Sequence, residues 1–70
     1  MMSNLERLVY MANQIARNFE AIGHDAAAAA TADHIASFWD PRMKQRLLLL
    51  VASDTRDLDP VALSAAALLR

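Results

Sequence analysis

The sequence predicts an all-α fold, a small bundle of three main helices plus a short C-terminal helix, and three observations predict it. One glycine and two prolines in 70 residues leave few places to break a helix. Alanine and leucine, both good helix formers, dominate the apolar content. Each proline follows an aspartate, in Asp40-Pro41 and Asp59-Pro60. That pair is helix-start chemistry: the carboxylate caps the first free N–H groups, and proline fits the first helical position, where no N–H bond is needed. The expected organisation is one domain over 1–70, with helices near 4–22, 26–39, 41–53 and 60–69.

Ser3 and Glu6 stand at capping-box spacing, in which hydroxyl and carboxylate satisfy reciprocal backbone N–H groups, so the first helix should begin there. At about 100° per residue, Leu5, Leu8, Val9, Ala12, Ile15, Ala16 and Phe19 form one stripe, a core face. Tyr10 falls nearly opposite, among Arg7, Gln14 and Arg17. It reads either as a solvated ring lying on arginine stems or as an aromatic contact for another protein. Gly23 should end the helix in a left-handed stop, with Asp25 capping the next helix.

In the second helix Ala27, Thr31, His34, Ile35 and Phe38 share a side. Ala29, Ala32 and Ala36 make a side almost without bulk, which reflects helix propensity or seats a neighbouring element. In the third helix Met43, Leu47, Leu50 and Val51 form the core side, while Leu48 and Leu49 project off its flanks. The C-terminal helix, with Val61, Leu63, Leu68 and Leu69, is expected to cover one flank and a partner the other, since exposed apolar patches mark interaction sites. Residues 53–58 read as a polar link.

The chain has no cysteine, which excludes disulfides, thiolate zinc sites and cysteine-ligated clusters. Folding at this length hides only about 60% of the chain's surface, so a partner is the expected source of further stability. The longest apolar run, 47–52, is far short of a membrane span, and the first ten residues lack the basic start and apolar core of a signal peptide. A cytoplasmic protein with no membrane role is expected. A net charge of −1 gives no electrostatic case for nucleic acid, and Arg42, Lys44 and Arg46 lie on different sides of their helix, unlike a recognition helix. His34 has no second histidine at helical spacing to share a metal, and His24 is expected at the surface. No serine–histidine–acid arrangement, phosphate loop or carboxylate pair is legible.

Two blocks carry a likeness: S-N-L-E-R-L-V-Y-M-A-N-Q-I-A-R at 3–17 and A-D-H-I-A-S-F-W-D-P-R-M at 32–43, followed by L-D-P at 58–60. In order and spacing they resemble the delta subunit of NAD-dependent, molybdenum-containing formate dehydrogenases, F-W-D-P-R-M being the specific part. The resemblance implies an accessory chain without a redox centre. Other subunits would hold the bis-molybdopterin guanine dinucleotide molybdenum centre, iron–sulfur clusters and FMN. The expected partners are the catalytic and other subunits, and the expected roles are assembly, cofactor loading or stabilisation.

The residues expected at a partner interface are Tyr10, Asn13, Gln14, His34, Phe38, Trp39, Arg42, Met43, Leu48 and Leu49. Asp40 and Pro41 should set an inter-helix corner whose inside Phe38, Trp39 and Met43 fill, with Trp39 serving core or interface. Asn13, Gln14 and Arg42 are the expected polar contacts. The rival reading is a self-associating helical module, unrelated to catalysis, whose leucines pair between identical chains.

Overall fold

The structure is a computed structural model that describes residues 3–69. Met1, Met2 and Arg70 lie outside it, and with them the very start of the segment read as lacking a signal peptide. Among the described residues there are four α-helices and no strand.

Helix α1 spans Asn4–Phe19 and opens with the expected capping box. Ser3 Oγ accepts from the Glu6 N–H at 3.1 Å, and the Ser3 N–H donates to Glu6 Oε1 at 3.4 Å. Its C-terminus tightens into a 3₁₀ turn at Glu20–Ile22, a common way to use up the last carbonyls.

Gly23 follows with φ 98° and ψ 154°. This is positive φ, but with extended ψ rather than the left-handed helical stop expected, in a region essentially confined to glycine. The chain therefore reverses at a single residue, and α2 starts at once, spanning His24–Phe38. Gly23 itself is the N-cap, its carbonyl accepting from the Ala27 N–H at 2.8 Å. Asp25 is thus not the cap that was expected. It lies inside the first turn, where a carboxylate still favours the positive end of the helix.

Both Asp-Pro pairs behave as the sequence requires. Asp40 Oδ1 accepts from the Met43 N–H at 2.9 Å and starts α3, Pro41–Ser53. Asp59 Oδ1 accepts from the Val61 N–H at 2.9 Å and starts α4, Pro60–Leu68. The link between α3 and α4 is not wholly polar: Leu58 turns inward and is buried.

The packing departs from expectation in two ways. First, α4 lies chiefly on α2 and secondarily on α1, and touches α3 only sparingly, so it does not cover the leucine-rich flank of α3. The cause is side-chain size. Ala27, Ala28 and Ala32 on α2 and Ala62, Ala65 and Ala66 on α4 are all buried, and two helices with small facing residues bring their backbones close. Leucines at the same positions would hold them apart. Ala29 and Ala36, expected on the small seat, are exposed; the seat is rotated onto the neighbouring face. Thr31, fully buried there, satisfies its hydroxyl by donating to the Ala27 carbonyl at 2.7 Å.

Second, the core is built mostly from small side chains, whereas several large ones stay outside. Leu8, Ile35, Trp39, Leu47, Leu58 and Val61 supply the bulk inside. Leu5, Tyr10, Ile22, Phe38, Leu49 and Leu68 are exposed. His24 Nε2 and Ser64 Oγ, 2.9 Å apart, tie the start of α2 to α4.

Candidate functional site

The Trp39-Asp40-Pro41 corner directs α3 away from α2 and leaves an open groove where three elements meet. Its walls are Tyr10, Met11, Gln14 and Ile15 from α1, His34 and Phe38 from the end of α2, Trp39 at the corner, and Met43 in the first turn of α3. The groove has a volume of about 400 Å³ and a mostly apolar lining. Six of the residues expected at an interface, Tyr10, Gln14, His34, Phe38, Trp39 and Met43, meet here although the sequence spreads them over more than thirty positions.

Phe38 and Trp39 divide the roles expected of both. Trp39 is 6% exposed and packs in the core; Phe38 is 75% exposed, so it does not fill the inside of the corner. Adjacent residues on a helix diverge by about 100°, so with Trp39 turned into the core, Phe38 is carried outward. The Phe38 ring instead stacks on His34 one turn earlier, with centroids 4.7 Å apart at 41°. Met43, half-buried, does line the corner.

Tyr10 is half-exposed and stands between this groove and a second one of about 330 Å³ lined by Leu5, Glu6, Val9, Asn13, Leu50 and Asp57. Its ring is therefore a ridge with an apolar hollow on each side.

Asn13 is not a free polar contact. Its side-chain Nδ2 donates to the Asp57 carbonyl at 2.8 Å, and its Oδ1 accepts from the Asp59 N–H at 2.8 Å. Both ends of the amide are used to fasten the link to α1.

Leu48 and Leu49 do not join the groove. With Leu47 buried, a turn of about 100° per residue puts Leu48 on the flank away from Met43 and Leu49 on the outer face of α3. Leu49 is 69% exposed and Leu48 half-buried. Arg42 is exposed in the first turn of α3.

Met11 and Ile15 are lining residues that the sequence reading did not select. They sit four residues apart, one turn of α1, Ile15 on the core stripe and Met11 beside it, and that i, i+4 pair next to Tyr10 and Gln14 was the available signal.

Among the described residues no three of His, Cys, Asp and Glu come together as metal ligands, and no helix is long and apolar enough to cross a membrane. The one ion pair among them, Arg56 to Asp54 at 2.9 Å, lies in the α3–α4 link. There the Arg56 guanidinium and then the Arg56 backbone N–H donate to the Asp54 carboxylate, holding its pKa down to about 2.

The family model described as NADH-dependent formate dehydrogenase delta subunit FdsD matches residues 7–66. The matched span contains the whole groove, both Asp-Pro corners and the Asn13 contacts. No curated protein matches the chain, and no solved structure does.

Proposed function

This chain belongs to the family of NADH-dependent formate dehydrogenase delta subunits, and on that premise we propose that it is a noncatalytic accessory subunit which docks on the molybdenum-bearing subunit of the complex. There it supports assembly, cofactor loading or stability of that subunit in the cytoplasm. The observation that carries the reading is the groove at the α2–α3 corner, where residues selected for a partner interface collect around an exposed phenylalanine beside the buried Trp39. An exposed aromatic over a well-packed base is the usual anatomy of an interface anchor.

The family's redox groups do not suit this chain's own donors. With no cysteine in the sequence, an iron–sulfur cluster would find no thiolate here. In this proposal the molybdenum centre, the clusters and FMN belong to the partner subunits.

The test is deletion of this subunit, followed by measurement of molybdenum content, subunit composition and formate-dependent NAD reduction in the remaining enzyme. Normal metal with poor subunit retention identifies a scaffold. Lost metal with intact subunits identifies a role in cofactor loading. An enzyme unchanged in all three measurements overturns the accessory role.

A further inference from the structure

Helix α3 is the least firmly attached of the four. Of its 13 residues only Leu47 is buried, whereas the nine-residue α4 buries four and α2 buries five. Met43 and Val51 lie partly buried against the core, and Leu49 faces solvent. Among the described residues no hydrogen bond or ion pair joins α3 to another helix: the Asp40 cap and the two bonds from Ser53 Oγ to the Leu49 and Leu50 carbonyls are local. The rest of the fold is tied across the chain, by Asn13 to residues 57 and 59 and by His24 to Ser64. Both ends of α3 are nevertheless anchored. Buried Trp39 precedes the Asp40-Pro41 corner, and beyond the helix buried Leu58 and the Asn13 bonds hold the link. Trp39 and Asp40 at one end and Asp54 at the other have extended backbone. Between these anchors the seam with α1 is open on both sides of Leu47, into the groove at Met43 and the hollow at Leu50.

We infer that α3 is a strap which swings off α1 as one unit about its two extended ends, while α1, α2 and α4 stay assembled, and that its opening joins the two hollows into a single apolar cleft. An element seated by one buried side chain opens at a lower free energy than elements locked by several. Opening takes Met43 and Leu50 out of the walls of the hollows, and Leu47 out of the core cluster that includes Leu8 and Ala12. A helix of 13 residues is marginal on its own, so the lifted strap loses the support of its backbone hydrogen bonds and its amides exchange with solvent. The strap thereby sets how much apolar surface the chain presents. The inference concerns this chain alone and does not rest on the delta-subunit reading.

The experiment is native-state amide hydrogen exchange, read residue by residue by NMR, on the full-length chain. In the unaltered protein the amides of α3, those around Leu47 included, should exchange at one common opening equilibrium, about tenfold or more faster than the amides of α2 and α4. Two substitutions separate opening of the strap from unfolding of the whole chain. Leu47→Ala removes the side chain that seats α3 and should speed exchange in α3 by about tenfold or more. Ala65→Leu disturbs the α2–α4 contact, which is intact in the closed and open forms alike. It should speed exchange in α2 and α4 and leave α3 within about twofold of the unaltered chain. Amides around Leu47 that are as protected as those of α2 and α4, whether or not the ends of α3 fray, overturn the inference. So does an Ala65→Leu chain in which α3 accelerates in step with α2 and α4, because α3 then opens only with the rest. Should either variant fail to fold, the comparison of helices within the unaltered chain still decides.

Discussion

The Asn13 side chain accepts a 2.8 Å hydrogen bond from the backbone N–H of Asp59, the residue that caps α4, while its own amide donates to Asp57 two residues earlier. One side chain of α1 therefore fixes the start of a helix forty-six positions away. Helix α4 has only nine residues, too few to be stable alone, so its place depends on this latch and on the alanine contact with α2.

Replacing Asn13 by leucine keeps the bulk but removes both partners from the link. The Asp59 N–H, part-buried, loses its acceptor, which costs about 1–3 kcal/mol. A lower denaturation midpoint and faster amide exchange throughout α4 are the expected results. An unchanged midpoint would show that the latch is incidental.

Trp39 and Phe38, neighbours in sequence, should respond in opposite ways. Trp39→Ala empties a buried site and should lower stability by about 3–5 kcal/mol, enough to unfold much of a domain this small. Phe38→Ala removes a ring that is 75% exposed and should change stability by no more than about 0.5 kcal/mol. Urea titration of both variants checks this. Equal losses would mean that Phe38 packs inside.

The α2–α4 contact tolerates small side chains only. Ala65 is fully buried, and Ala65→Leu should force the helices apart at a cost of about 1–3 kcal/mol. The same change at exposed Ala29 should stay within about 0.5 kcal/mol. Thermal unfolding of the pair reads the difference directly, and a harmless Ala65→Leu would contradict close packing of these helices.

In the α3–α4 link, Asp54 has its pKa lowered to about 2. A depressed carboxyl adds stability that is present above the unfolded value near pH 4 and is lost as pH falls toward about 2. Both partners face solvent, so salt and water screen the pair and its effect on folding is small. The sensitive measurement is the NMR titration of the Asp54 carboxyl. Its midpoint should lie near 2 and move part of the way back in Arg56→Ala, since the backbone N–H of residue 56 still donates. A midpoint at the ordinary aspartate value in the unaltered chain would refute the pairing.

Most of the helix starts were legible because capping is a local matter. Ser3, Asp40 and Asp59 each bond to an N–H two or three residues away, and such short-range chemistry is written in consecutive residues. Asp25 misled because Gly23 took an extended ψ and so became the cap itself. For the candidate site, the residues around the corner were legible and their division of labour was not. Phe38 and Trp39 have similar size and polarity, and which one turns inward depends on where α1 and α3 stand. Asn13 looked like a surface amide because its partners are backbone groups more than forty residues distant.

The four helices among the described residues, and most of their starting points, follow from local chemistry, because helix propensity, caps and prolines act over a few residues. The joining of α2 to α4 through alanines rather than leucines, the burial of Leu58 and the exposure of Phe38 at the mouth of a groove were settled by how the helices pack. Those outcomes follow from how closely helix axes can approach, a property of two faces together that neither face encodes alone.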